Sequence, residues 1–170
     1  KVLKLYDDID HDTWFQIGHS PAVFLKVVSQ EKLLKASQDA NYVTRLNNVY
    51  QDFLKYLNEP NSWYKKNYGK AEKSIAYFCL EYGIHSSLPI YSGGLGILSG
   101  DHLKSASDLD LPLVAVGLFY TEGYFKQSLD SEGNQKETYL VYDPSNLPMV
   151  PARNSAGKEF ISEIDIGADK

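Results

Sequence analysis

A glycine-rich turn between two short apolar runs constrains the fold of this 170-residue chain more than any other feature. Residues 75–80 and 111–119 are nearly continuous apolar runs, as in strands that are buried on both faces. Between them, the turn at residues 93–96 (Gly-Gly-Leu-Gly) leads into residues 97–109, whose apolar positions recur at helical spacing. The order strand, turn, helix, strand predicts a βαβ unit with two parallel strands and a right-handed crossover.

Helical signals precede this unit. Ser20 and Pro21 suit the N-cap and the first position of a helix that continues to residue 28. Ser29 is a second candidate N-cap, for a weaker helix through residue 36. Residues 41–57 carry apolar side chains at steps of three and four, which predicts a longer amphipathic helix. Residues 1–60 are therefore expected to form a helical N-terminal segment.

Strand signals follow the unit. Residues 124–129 and 138–142 alternate between polar and apolar side chains around a turn, which predicts a β-hairpin. A further strand at residues 160–166 is expected to pair with it. We therefore predict a single α/β domain fragment in three parts: the helical segment, the βαβ unit at residues 74–119, and a hairpin and strand extension at residues 120–170.

Charge and cysteine content disfavour several classes of function. The 17 basic and 22 acidic side chains give a net charge of −5 without any long basic block, so nucleic acid and anionic membranes are not expected partners. No apolar stretch approaches the roughly 20 residues that span a bilayer. The single cysteine, Cys79, lies inside an apolar run, which predicts a core residue and favours a reducing, cytoplasmic location.

A metal site is not expected from the acidic stretch near the N-terminus. Asp8, Asp10 and Asp12 imitate the start of a calcium-binding loop. Thr13, however, occupies the position that requires glycine, and His19 occupies the position that requires a bidentate glutamate. The spacing therefore argues against calcium.

The glycine turn is the best candidate for a binding site. Gly93 and Gly94 leave the backbone unshielded, and the first N–H groups of a helix, with the positive end of its dipole, attract phosphate or sugar oxygens. The spacing matches neither the dinucleotide motif G-x-G-x-x-G nor the P-loop, so NAD and P-loop nucleotide binding are disfavoured. The competing interpretation is a tight turn that only lets helix and sheet pack closely.

Two longer strings carry a resemblance to a known family. Residues 75–109 read IAYFCLEYGIHSSLPIYSGGLGILSGDHLKSASDL, and residues 112–127 read PLVAVGLFYTEGYFKQ. Together they closely resemble the N-terminal region of α-glucan phosphorylases, which are glycogen, starch and maltodextrin phosphorylases. Residues 8–14 (DIDHDTW) and 29–31 (SQE) resemble the shorter bacterial and archaeal branch of that family. Because the chain begins at Lys1, we also expect a fragment of a longer protein.

The resemblance implies a GT-B glycosyltransferase fold, in which two Rossmann-like domains face each other across a cleft. Such enzymes transfer a terminal α-1,4-linked glucosyl unit from a glucan to inorganic phosphate, which gives glucose 1-phosphate. Their pyridoxal phosphate is bound covalently by a lysine of the second domain, which lies outside this chain, and its phosphate group exchanges a proton with the substrate phosphate. The resemblance also implies a homodimer for the full-length enzyme.

For individual residues, the resemblance implies that Gly93 and Gly94 direct N–H groups at the substrate phosphate and that Leu95 lies against the glucosyl ring. Three further residues are candidates to line the cleft: Glu81, His85 and Ser92. No catalytic residue is expected within the chain, so the fragment alone should be inactive. Gly83 stands where the larger animal enzymes carry a tyrosine near the cofactor, so that contact is missing from the pattern.

Two other functions compete with this one. An α-glucan synthase that uses a nucleotide-sugar donor also has GT-B architecture, but its motif is Lys-x-Gly-Gly-Leu, and Tyr91 stands at the lysine position here. A neutral ring does not supply the positive charge that a nucleotide phosphate requires. The second alternative is a non-catalytic glucan-binding or assembly module, since fold alone does not determine function.

Overall fold

A computed structural model describes residues 1–163 and residue 167 of the chain. Its first part is helical, as the sequence predicts for residues 1–60, and a further short helix at residues 63–68 was not predicted. The helices of this part are α1 (Val2–Ile9), α2 (His11–Gln16), α3 (Pro21–Val27), α4 (Gln30–Gln38), α5 (Ala40–Leu57) and α6 (Trp63–Tyr68).

The helix boundaries follow the predicted caps. The hydroxyl of Ser20 accepts a hydrogen bond from the Val23 N–H at the start of α3, and Pro21 is the first helical residue. Ser29 caps α4 in the same way, by accepting from the Lys32 N–H. Helix α5 begins one residue before the predicted range and ends at residue 57 as predicted. Side-chain acceptors thus satisfy N–H groups that have no partner within the helix.

An aromatic cluster holds the first helices together. Trp14, Phe24 and Val28 are buried, and the Tyr6 ring stacks on Trp14 with 5.0 Å between ring centroids. The apolar stripe of α5 contributes less to this packing, because Tyr42 is the only buried residue of the helix. The remainder of that stripe, together with α1 and α4, lines an open apolar groove of about 940 Å³.

Asp10 links α2 to α4. Its carboxylate is the N-cap of α2, accepting from the Thr13 N–H at 3.2 Å and from the Thr13 hydroxyl at 2.6 Å. Its Oδ2 also lies 2.5 Å from Nζ of Lys32. The bond from Lys32, followed by those from Thr13, lowers the pKa of Asp10 from 3.8 to about 2, because each favours the ionised form.

This lowered pKa predicts a pH-dependent contribution to stability. The contribution is present above the unfolded-state pKa of 3.8 and is lost as pH falls from about 4 to about 2. We expect Asp10→Asn, which retains a capping oxygen but no ionisable carboxyl, to be less stable than the wild type near neutral pH. The difference should shrink below about pH 4. Thermal unfolding of both proteins across this range measures it.

Asp12→Asn is the matched control, because Asp12 is an exposed residue of the same helix. A stability difference between Asp10→Asn and wild type that stays constant with pH would contradict the assignment.

The second part contains the predicted parallel strand pair. Strand β1 (Ile75–Phe78) pairs with β2 (Leu113–Val116), with Ile75 opposite Leu113 and Phe78 opposite Val116. Helix α7 (Gly94–Asp108) connects them and begins three residues earlier than its periodicity predicts. The order strand, turn, helix, parallel strand is therefore confirmed.

The predicted burial of these strands on both faces is wrong. Phe78 is 73% exposed and Val114 is 55% exposed, because each strand has one neighbour in a two-stranded sheet. Cys79, predicted as a core residue, is only half-buried. The apolar pattern correctly identifies strands, but the described part of the chain does not cover their faces.

Helix α7 is buried along a face of small residues. Its buried positions are Gly96, Ser99, Gly100 and Ala106. Leu95 and Leu98, which the helical spacing assigns to an apolar stripe, are 49% and 67% exposed. Close approach by neighbouring backbone, and not a row of large apolar side chains, therefore packs this helix.

Hydrogen bonds tie the helical segment to the far end of α7. The Tyr64 N–H donates to the Leu109 carbonyl at 3.1 Å, and the Ser62 hydroxyl donates to Asp110 at 2.8 Å. Lys65 Nζ lies 2.6 Å from the same Asp110 carboxylate. The C-terminal end of the helix is fixed by these contacts.

The third part is an exposed hairpin. Strands β3 (Lys126–Leu129) and β4 (Gln135–Thr138) pair antiparallel, which confirms a hairpin. The second strand was predicted at residues 138–142 and overlaps β4 only at Thr138, so its predicted position is wrong. Residues 160–163 are not a strand, and this part of the predicted strand is wrong; the nearest pairing is an isolated bridge between Arg153 and Glu159. Residues 164–166 of that prediction lie outside the described residues.

Candidate functional site

The start of α7 is open. Gly93 is the N-cap, with extended backbone angles and no side chain, and helix begins at Gly94. The first helical bond runs from the Ile97 N–H to the Gly93 carbonyl at 3.2 Å. A Cβ built at Gly93 or at Gly94 meets no heavy atom within 4 Å. An incoming anion therefore has access to the first N–H groups of the helix.

The three residues predicted to bind substrate all lie on the exposed side of this helix start. Gly93 and Gly94 are exposed, and Leu95 is 49% exposed. Gly96, by contrast, is buried and faces the loop that precedes α7. The turn thus has one face open to ligand and one face packed against protein.

Glu81 and Ser92, both predicted to line the cleft, contact each other. The Ser92 N–H donates to Oε2 of Glu81 at 3.0 Å, and the Ser92 hydroxyl donates to Oε1 at 3.2 Å. Both residues are half-buried. The carboxylate therefore accepts two hydrogen bonds from the residue directly before the glycine turn.

His85 takes no part in this arrangement. Its ring is exposed, and its Nδ1 lies 2.8 Å from the Ser87 hydroxyl and accepts from the Ser87 N–H at 3.1 Å. Both contacts are local to the loop. Among the predicted site residues, His85 is the one that the described hydrogen bonds do not connect to the glycine turn.

Sequence analysis missed the residues that support the turn on its buried face. Ser99 is fully buried, and its hydroxyl lies 2.5 Å from the Glu81 carbonyl and 3.0 Å from the Gly96 carbonyl. The Gly83 N–H donates to the same Gly96 carbonyl at 2.7 Å. The small residues at positions 96, 99 and 100 share one helical face, and that spacing is the signal that marks a close approach.

Tyr82 was missed as well. It is 3% exposed, and its hydroxyl donates to the Tyr77 carbonyl at 2.5 Å and lies 3.3 Å from the Val116 carbonyl. Burial raises the pKa of Tyr82 above 10.0, since it penalises the phenolate. Its main-chain N–H donates to the Ile90 carbonyl at 3.0 Å. Tyr82 therefore anchors the loop between β1 and α7 to both parallel strands.

A cavity of about 280 Å³ lies beside the turn. Its lining combines Glu81, Tyr91 and Ser92, which precede the glycines in the chain, with Tyr120 and Tyr124, which follow β2. Across the described residues, the cavity included, no group of three His, Cys, Asp or Glu side chains is arranged to hold a metal ion. Within the same residues, no helix combines the length and apolar character that crossing a membrane requires.

Comparison with known proteins adds a family. The family described as "Protein of unknown function (DUF3417)" matches residues 1–88, which is the helical segment together with β1 and the loop that follows it. The chain belongs to this family. No solved structure matches the chain.

Curated relatives cover nearly the whole chain. A maltodextrin phosphorylase from Thermococcus litoralis is 42% identical over 98% of the chain, and a glycogen phosphorylase from Mycobacterium tuberculosis is 44% identical over 96% of it. A glycogen phosphorylase from Aquifex aeolicus is 33% identical over 91%. These matches confirm the resemblance to α-glucan phosphorylases. The chain spans about a fifth of the length of these relatives: 20%, 20% and 22%.

Proposed function

We propose that the chain is the N-terminal part of an α-glucan phosphorylase, and that the full-length protein transfers a terminal α-1,4-linked glucosyl unit to inorganic phosphate. The products are glucose 1-phosphate and a shortened glucan. The observation that carries the proposal is the identity of 42–44% to a maltodextrin and a glycogen phosphorylase over nearly the whole chain. The mixed α/β fold with its parallel strand pair is compatible with one half of a GT-B enzyme.

The glycine turn is the part of the chain that we assign to substrate. In this proposal, the N–H groups at Gly93 and Gly94 donate to the oxygens of the phosphate, and Leu95 packs against the glucosyl ring. The open space around both glycines supports this role, since nothing within 4 Å of either Cβ position obstructs the approach. Fixed N–H dipoles stabilise charge without reorganising during the reaction. The chain contributes positioning and electrostatic stabilisation, and we assign it no acid, base or nucleophile.

Pyridoxal phosphate belongs, in this proposal, to a lysine outside the chain. In the described residues, every buried side-chain nitrogen or oxygen has a hydrogen-bond partner, so no such atom marks a place for the group. The tyrosine position noted above is filled here by Gly83, and a Cβ at Gly83 would lie 2.9 Å from the Gly96 carbonyl oxygen. A side chain at this position would therefore collide with the backbone of α7.

Two further assignments belong to the same proposal. The full-length protein is a homodimer located in the cytoplasm, and its partners are α-1,4-glucan, inorganic phosphate and glucose 1-phosphate. The net charge of −5 and the half-buried, unpaired Cys79 are compatible with such a location.

The test uses the full-length protein purified with its cofactor. Incubation with a maltooligosaccharide and inorganic phosphate should release glucose 1-phosphate, whereas a nucleotide-sugar donor should give no chain elongation. Elongation from the nucleotide sugar would instead establish a synthase. Glucan binding without any response to phosphate would establish a non-catalytic module. Calorimetric titration with each ligand separates these outcomes.

A further inference from the structure

We propose that Glu81 is a positioning residue for the phosphate site, because its carboxylate and its carbonyl together fix the glycine turn on both sides. This inference rests on the proposed function. It assigns Glu81 no contact with substrate. The role is to hold Ser92 and α7 so that the N–H groups of Gly93 and Gly94 face the anion.

The contacts of Glu81 reach both ends of the turn. On one side, its two carboxylate oxygens accept from the N–H and the hydroxyl of Ser92, at 3.0 and 3.2 Å. On the other side, its main-chain carbonyl accepts from the buried hydroxyl of Ser99, at 2.5 Å. Residues 92 and 99 flank the turn in sequence, so one residue connects the chain before the glycines to the helix after them.

The packing brings this carboxylate close to the backbone of α7 at Gly96. A Cβ built at Gly96 would lie 3.0 Å from Oε2 of Glu81 and 2.6 Å from Cβ of Tyr91. The absence of a side chain at Gly96 therefore lets the carboxylate reach the base of the turn. Hydrogen bonds to an ionised acceptor are stronger than neutral ones, which suits a residue that must fix a loop.

A carboxylate at Glu81 holds Ser92 more strongly than a neutral amide would. Both groups that Ser92 presents are donors, and a carboxylate accepts from both. A glutamine amide can accept from the Ser92 N–H and donate to the hydroxyl oxygen, but both bonds then lose the charge of the carboxylate and are weaker. Glu81→Gln therefore keeps the size of the side chain and disturbs the position of Ser92.

Because Glu81 is negatively charged, an electrostatic role and a positioning role predict opposite changes in the KM for phosphate when the charge is removed. A carboxylate near a phosphate repels it, so removing the charge would strengthen phosphate binding if only electrostatics mattered. Positioning predicts the opposite, because a displaced turn no longer directs its N–H groups at the anion. The sign of the change in the KM for phosphate therefore distinguishes the two roles.

The experiment measures phosphorolysis by the full-length protein with its cofactor bound. We expect Glu81→Gln to raise the KM for phosphate about tenfold, consistent with the replacement of two charge-assisted hydrogen bonds by weaker neutral ones. The KM for the maltooligosaccharide should rise less than the KM for phosphate, because the carboxylate bonds to Ser92, next to the two glycines that we assign to the phosphate, and not to Leu95. Ser92→Ala removes the hydroxyl bond but keeps the N–H bond, and should give a smaller rise of about threefold.

Glu122→Gln is the matched control, since Glu122 lines the same cavity beside the turn and is exposed. It removes a nearby negative charge without touching the bonds of Ser92. The KM for phosphate should not rise in this variant. Melting temperatures of all variants, measured in parallel, separate a displaced turn from a loss of folding.

Four results would overturn the inference. A phosphate KM that is unchanged or lowered in Glu81→Gln rejects positioning. An equal rise in the KM for phosphate and the KM for the maltooligosaccharide, together with a lowered melting temperature, rejects it as well. If Glu81→Gln does not fold, an unchanged phosphate KM in Ser92→Ala rejects it. A wild-type protein that makes no glucose 1-phosphate rejects the proposed function and, with it, this inference. If the wild type is active and Glu81→Gln has the same KM for phosphate, the role of Glu81 is rejected and the proposed function is not.

Discussion

Gly94→Val in the full-length protein is expected to reduce kcat/KM for phosphate by about 100-fold or more while leaving the melting temperature nearly unchanged. The structure provides space for the new side chain, because a Cβ at Gly94 meets no heavy atom within 4 Å. Gly94 is also absent from the residues with positive φ, so valine fits the backbone there. The branched side chain instead fills the space in front of the N–H groups that we assign to the phosphate.

Two controls make this prediction specific. Gly94→Ala adds one methyl group at the same position and should have a smaller effect on kcat/KM. Ser105→Val introduces the same branched side chain at an exposed position in the last turns of α7 and should have none. Activity is measured as glucose 1-phosphate release at several phosphate concentrations. Wild-type phosphate kinetics in Gly94→Val would remove the glycine turn from the site.

The helices could be predicted because their signals are local. Ser20 and Ser29 satisfy N–H groups within three residues of themselves, and a Pro21 at the first helical position needs no distant partner. The periodicity of residues 41–57 likewise reports a helix whatever lies against it. These elements follow from chemistry that acts over one or two turns.

Burial could not be predicted in the same way. The runs around Phe78 and Val114 have the composition of buried strands, yet both side chains are more than half exposed. A local pattern reports the tendency of a strand to be covered, whereas coverage depends on other strands and helices that pack against it. The described part of the chain supplies one partner strand, and a parallel sheet requires more.

The site was predictable only where its signal is local in the sequence. The glycines at 93 and 94 identify the start of a helix from sequence alone, and the structure has that start one residue from where the motif begins. The bonds from Ser92 and Ser99 to Glu81 span 11 and 18 residues across an irregular loop. Such contacts depend on the path of the chain between them, and periodicity carries no information about that path.

Gly100→Ala is expected to have the largest effect on stability, lowering the free energy of unfolding by at least about 3 kcal/mol. A Cβ at Gly100 would lie 2.1 Å from the carbonyl oxygen of Gly83 and 2.6 Å from its carbonyl carbon. Both are backbone atoms, so no flexible side chain is available to move away. The Gly83 N–H also donates to the Gly96 carbonyl, which ties the two segments together at this point.

The same substitution should also weaken phosphate binding, since Gly83 follows Glu81 by two residues and a shift of the loop breaks the bonds to Ser92 and Ser99. Gly94→Ala is the matched comparison: it is the same chemical change in the same helix, and its Cβ meets nothing. There, alanine should stabilise the helix by up to about 1 kcal/mol. Thermal unfolding and phosphate kinetics of both variants test whether close backbone packing at Gly100 supports the geometry of the turn. Equal melting temperatures for the two would contradict the packing argument, because only one of the new methyl groups meets the backbone of the loop.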